Sequence, residues 1–112
     1  MLLHIANDET WSAALHDGGE YAPASLAEQG FVHCSYPWQL VEVANRRYAG
    51  RERLQVLVID EGRLPVEVRV EGVEDTVERF PHVYGAVPVV AVVAVAEWRP
   101  GSDGAFRLPI TA

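Results

Sequence analysis

Gly30-Phe31-Val32-His33-Cys34-Ser35-Tyr36-Pro37 decides the reading of the fold. Its first half is a short run of β-formers, and its second half is a helix start with Pro37 at N1, where a missing N–H costs nothing. A strand over Phe31–Cys34 therefore feeds directly into a helix. Side chains alternate across a strand. Phe31, His33 and Ser35 then share one face, with Val32 and Cys34 on the other. A second segment, Phe80-Pro81-His82-Val83-Tyr84-Gly85, has the same character. Phe80, His82 and Tyr84 share a face opposite Val83. Each strand thus carries a polar pair, His33/Ser35 and His82/Tyr84, spaced about 7 Å along the chain. Such pairs suit the lining of a cleft.

Outward from these segments the chain divides readily. Leu2–Ile5 reads as a strand. Asn7 or Asp8 caps a helix to about His16, and Gly18-Gly19 ends it. Ser25-Leu26-Ala27-Glu28 fits a capping box and predicts one helical turn before Gly30. After Pro37, the apolar spacing of Trp38, Val41, Ala44 and Tyr48 predicts a helix stopping near Gly50. Leu54–Ile59 is apolar but for Gln55 and reads as a strand buried on both faces. Val66–Glu71 alternates strictly, so one face is exposed. Glu74–Arg79 is polar and loop-like. Pro81 should confine Phe80–Tyr84 to an edge or irregular position. Val87–Trp98 reads as a long central strand, and Phe106, Leu108 and Ile110 as a final edge strand. Helices early and strands late predict an α+β fold with a mainly antiparallel, curved sheet.

Bulk properties narrow the function classes. The chain has 112 residues, enough for one domain over 1–112 with residues 99–112 as a tail. Its formal net charge is -7, which gives no electrostatic footprint for nucleic acid and disfavours anionic membranes. All nine basic residues are arginine, and Arg46, Arg47, Arg51 and Arg53 cluster locally. One cysteine, Cys34, permits no internal disulfide. The N-terminus lacks the basic region of a signal peptide, and the apolar run Ala86–Ala96 is well short of the roughly 20 residues a membrane span needs. A cytoplasmic location is the expectation. The final strand, if exposed, could pair two chains into a homodimer.

Each polar residue has two readings. His33 and Ser35 either line a site, with His33 as acid or base, or Ser35 simply caps the helix and His33 is a satisfied core side chain. His82 and Tyr84 either face a ligand or belong to a well-packed loop. Glu71 shares a face with Glu67 and Arg69, as a solvated carboxylate or a catalytic one. His4 sits in the first strand, and parity does not choose its side. Cys34 faces away from His33, which argues against a Cys/His nucleophile pair and for a small buried hydrophobe. No HxxxH, HExxH, CxxC or GxGxxG spacing appears, so no metal site or phosphate loop is expected.

Taken together, Tyr21-x-Pro-x-Ser25-Leu26, Gly30-Phe31-Val32-His33-Cys34-Ser35, Gln39, Ile59-Asp60, Glu71 and Phe80-Pro81-His82-Val83-Tyr84-Gly85 resemble the DUF952 family of small bacterial proteins, over His4 to about Val95. Val70 stands where that family often has Trp, and Ala86-Val87 replaces its usual Pro-Leu. The resemblance implies a fold similar to the ADP-ribosyltransferase superfamily: a split, curved β core with a cleft, and two main helices in the N-terminal half. The strand–helix unit after Gly30 would correspond to the one that cradles nicotinamide there. On that reading NAD or a related nucleotide is the substrate, with transfer or hydrolysis at the ribose. His33, Ser35, Gln39 and His4 would position the ligand, Glu71 or His82 would supply acid/base or charge stabilisation, and Tyr84 would stack. The alternatives are a cleft that binds a small nucleotide-like ligand without turnover, and an interaction protein whose histidines are structural.

Overall fold

The computed structural model describes residues 1–72 and 77–110. Positions 74–76 of the stretch read as a polar loop lie outside the described residues. The chain runs β1 (Leu2–Ala6), α1 (Asp8–Asp17), β2 (Glu20–Tyr21), α2 (Ala24–Gln29), β3 (Val32–His33), α3 (Leu40–Arg47), β4 (Leu54–Ile59), β5 (Val68–Gly72), β6 (Arg79–Val83), β7 (Val87–Pro88) and β8 (Val92–Trp98). Two three-stranded sheets, β1-β4-β8 and β3-β6-β5, are accompanied by the small pair β2-β7. Every pairing is antiparallel. This is a small α+β architecture. Among the described residues no helix is long and apolar enough to cross a membrane.

A backbone bridge joins the two larger sheets. Leu3 N donates to Ser35 O at 2.8 Å and Ser35 N to Leu3 O at 2.7 Å, a bridge between β1 and the residue just past β3. Alternation along β1 and β4 then sorts side chains into two cores. Leu2, Leu57 and Ile59 join Trp11 and Ala14 of α1 and Val32, Cys34 and Val83 of the second sheet. Leu3, Ile5, Leu54 and Val56 join Leu40 and Ala44 of α3, Trp98 and Phe106. β4 is accordingly the middle strand, covered on both faces as its apolar run predicts.

Several expectations are corrected. Ser25 does not cap α2: the helix starts at Ala24 after Pro23, and the Ser25 hydroxyl donates to Phe31 O at 2.9 Å. Trp38 lies in a 3₁₀ turn, Pro37–Gln39, that precedes α3. Its tighter winding breaks the 3.6 spacing, so Trp38 is 76% exposed and stacks on Tyr36 at 4.8 Å. β6 is the middle strand of its sheet despite Pro81. The Pro81 carbonyl accepts from Cys34 N at 3.1 Å, so the missing N–H also faces β3, where pairing ends; the β5 side loses nothing. Val87–Trp98 is not one long central strand. Pro88 closes β7, a 3₁₀ turn follows at Val89–Ala91, and β8 is an edge strand.

Phe106–Ile110 forms no strand. Both backbone polar groups of Phe106 are taken by one side chain of α3: Phe106 N donates to Asn45 Oδ1 at 2.7 Å, and Asn45 Nδ2 to Phe106 O at 3.0 Å. The Trp98 indole N–H donates to Arg107 O at 2.9 Å. The tail is thus locked onto α3 with Phe106 fully buried. Among the described residues the tail forms no strand of the kind expected to pair two chains. Phe106→Ala should lower stability by about 3–5 kcal/mol in urea unfolding, the usual cost of emptying a packed aromatic site. A loss below about 1 kcal/mol would mean the tail is not part of the core.

Candidate functional site

A cavity of about 580 Å³ opens where β1, β3 and the chain after α3 converge. His4, Tyr21, His33, Ser35 and His82 line its inner end, and Arg46, Arg47, Arg51 and Arg53 its mouth. Local sequence explains the placement. β1 delivers His4, β3 and β6 deliver His33 and His82 directly opposite each other, and Gly50, at φ 90°, turns the chain after α3 so that Arg51 and Arg53 return to the opening.

His4 is buried, and both ring nitrogens are engaged. Nδ1 lies 2.5 Å from His33 O, a carbonyl that can only accept, so Nδ1 carries the hydrogen. Nε2 is then bare and accepts from the Tyr21 hydroxyl at 2.7 Å. Burial lowers the His4 pKa to about 4, against the opposing effect of the His33 carbonyl, so the ring is neutral at pH 7. Burial likewise pushes Tyr21 up to about 12. His4 thereby ties β1 to β3 and to β2.

His33 and His82 stand edge to face with centroids 5.4 Å apart. His33 Nε2 bonds to Gln29 Oε1 at 2.6 Å, and its pKa is lowered by burial and then by the charges of His82 and Arg47. The His82 ring stacks on Phe31 at 4.0 Å with planes 13° apart. Its Nδ1 sits 2.9 Å from Glu71 Oε1, so Nδ1–H donates to the carboxylate. Its Nε2 is buried and has no hydrogen-bond partner among the described residues. The same Glu71 oxygen accepts from Tyr84 OH at 2.5 Å. The bonds from Tyr84 and His82 lower the Glu71 pKa, and the carboxylate raises that of Tyr84. The Arg69 guanidinium lies over the Tyr84 ring at 4.3 Å.

His33, His82, Glu71 and Tyr84 therefore do gather on one face of β3-β6-β5. Only the two histidines line the cavity; Glu71 and Tyr84 reach it through His82. Ser35 is buried at the cavity wall, with its backbone in the inter-sheet bridge. Gln39 is not at the cavity. Its Oε1 accepts from Tyr36 N at 2.9 Å, and its Nε2 donates to Glu78 Oε2 and Arg79 O, each at 2.8 Å. This clamps the start of α3 to β6. Cys34 is buried in the core with Leu2, Val32 and Val83 and also borders the cavity, and burial pushes its thiol up to about 12. Among the described residues no three His, Cys, Asp or Glu side chains converge to hold a metal ion.

Tyr21 and Phe31 are missing from the site as read in the sequence. Both sit in the family-like motif, but nothing local shows that Tyr21 reaches His4 or that Phe31 stacks on His82. The arginines were visible as a cluster. Their convergence on the histidines depends on the return of the chain after α3.

Two consequences follow for stability. Tyr21→Phe removes the hydroxyl that partners buried His4 Nε2 and should cost about 1–3 kcal/mol in urea unfolding. An unchanged midpoint would sink the assigned bond. His4 has a folded pKa near 4 against 6.5 for a free imidazole, so the unfolded chain takes up a proton first as pH falls. Stability present above pH 6.5 should drain away between 6.5 and 4, by about 3 kcal/mol in total. His33, lowered in the same direction, adds to that loss. Unfolding measured at pH 7, 5.5 and 4.5 checks this, and a flat profile would contradict a buried neutral His4.

Comparison with known proteins places the chain. The crystal structure of protein CC0527 from Caulobacter crescentus is 27% identical, with a TM-score of 0.81 over 96% of this chain and 93% of that one. The solution NMR structure of CC0527 is 27% identical, with a TM-score of 0.77 over 93% and 89%. No curated protein matches. The family model described as "Protein of unknown function (DUF952)" covers residues 5–95, and the chain belongs to the DUF952 family.

Proposed function

We propose that the cavity binds a small nucleotide-like molecule, with its ribose against His33 and His82, and that NAD and ADP-ribose represent the ligand class. One observation carries this reading. His82 Nε2 is shielded from solvent and has no hydrogen-bond partner among the described residues, on a side chain that lines a 580 Å³ cavity. A buried polar atom left unsatisfied costs roughly 1–3 kcal/mol, which a ligand hydroxyl reaching it through a small shift of the cavity wall would recover. A ribose presents such hydroxyls. The cavity volume lies within the range usual for small-molecule sites. The ADP-ribosyltransferase-like core that the family resemblance implies favours NAD by analogy of fold.

The Glu71–His82 pair favours turnover as a second reading. Glu71 holds the proton on Nδ1, which leaves Nε2 of this cavity-lining histidine as the nitrogen able to take a proton once the wall opens to it. In hydrolysis a water would attack the ribose C1′ as the bond to nicotinamide breaks. The bond electrons neutralise the pyridinium, and the water proton passes to His82 Nε2. The transition state has the oxocarbenium character of glycoside hydrolysis.

Thermal shift with NAD, ADP-ribose and nicotinamide tests binding. A ligand at about 100 times its Kd adds about 2.7 kcal/mol, a rise of several degrees in a domain this size. His82→Ala should abolish the rise. Glu71→Gln should keep it but slow nicotinamide release by at least about 100-fold, because the amide no longer fixes the tautomer. No shift with any of the three at millimolar concentration would defeat the ligand class.

A further inference from the structure

We propose that Arg47 and Arg51 form a phosphate-binding subsite at the cavity mouth, so that the ligand is phosphorylated rather than a neutral nucleoside. This rests on the nucleotide-like reading of the inner end. The four arginines of the mouth differ in their pairing. Arg46 lies 3.5 Å from Glu42, and Arg53 lies 2.7 Å from Asp8. Arg47 and Arg51 have no ion pair among the described residues, and both are exposed. Arg51 sits 5.7 Å over the Tyr48 ring, which orients the guanidinium without neutralising it.

The plain explanation covers only part of this arrangement. Cations in the last turn of a helix complement its dipole, which accounts for Arg46 and Arg47. Arg51 lies beyond the helix and gains nothing from it. The wider charge balance points the same way. The chain carries a net charge of -7, yet four of its nine basic residues line this one opening. An acidic protein repels anions at long range, so a local basic mouth is what an anionic ligand would need to enter. The guanidinium fork matches phosphate oxygens in pairs, which an ammonium does not. Asp8 and Glu9 also line the cavity; Asp8 is held by Arg53. The charge of Arg47 also reaches the inner end, where it contributes to the lowered pKa of His33. Phosphate at the mouth and ribose at the histidines therefore lie along one cavity.

The test is titration calorimetry at fixed ionic strength with inorganic pyrophosphate, adenosine, AMP and ADP-ribose. The proteins are the wild type, Arg47→Gln, Arg51→Gln, the double variant, and Arg99→Gln as a control outside the cavity. All of these arginines are exposed, so folding should be unaffected. AMP and ADP-ribose should bind the wild type at least about tenfold more tightly than adenosine, and each cavity variant should lose about tenfold for the phosphorylated ligands. Adenosine should not change, and Arg99→Gln should behave as wild type. If adenosine binds as tightly as AMP, or if Arg99→Gln loses as much as the cavity variants, the subsite is wrong and the nucleotide reading stands. If pyrophosphate binds, the double variant loses it, and no ribose-bearing ligand binds better, the subsite stands and the nucleotide reading falls. If no probe binds the wild type, both fall.

Discussion

The Leu3–Ser35 bridge and the His4 ring on the His33 carbonyl join the two three-stranded sheets, and the candidate site exists because of that junction. Backbone bonds alone would leave β3, only two residues long, weakly held to β1. The buried imidazole adds a third attachment and passes it on, through the Tyr21 hydroxyl, to the small pair β2-β7. Each partner is satisfied, so the network contributes to the fold instead of taxing it. The same junction delivers Ser35 and His33 to the cavity wall and puts His82 beside them by register. His4 therefore works by holding its neighbours, and its low pKa keeps it neutral and able to accept the tyrosine proton donor.

Electrostatics divides the cavity into two ends. At the inner end, burial keeps His4 neutral, lowers the pKa of His33, and leaves one His82 nitrogen without a partner. At the mouth, guanidinium groups stand in water with part of their charge unpaired. Glu71 and Tyr84 sit behind His82, on the solvent side of the second sheet. They act through the imidazole by holding its proton in place. This is the arrangement by which a carboxylate orients a histidine.

Much of the fold was legible because the relevant forces are local or periodic. Asn7 caps α1, with Thr10 N donating to its Oδ1 at 3.0 Å, as its residue type and position predict. Leu54, Val56, Leu57 and Ile59 are buried on the two faces of β4 because so apolar a strand is stable only with both faces covered. Parity paired His82 with Tyr84 along one strand, and the register of the sheet set His33 and Glu71 beside them. Where the reading failed, a non-local partner intervened. Pro81 sits in a middle strand only because its neighbour β3 stops there. Phe106 leaves the strand pattern because Asn45, far away in sequence, takes both of its backbone groups. Trp38 is exposed because the helix begins with a tighter turn.

The sequence by itself determined the α+β class, the family, the polar face of the strands and the local clustering of arginines, since each follows from residue type, spacing or motif. Tertiary structure decided which of those groups meet. It placed His4 among buried partners and diverted Gln39 into clamping α3 to β6. It also brought the arginine cluster to the histidines and left His82 Nε2 without a partner. These outcomes depend on contacts between residues far apart in the chain, and residue type and spacing carry no record of such distances.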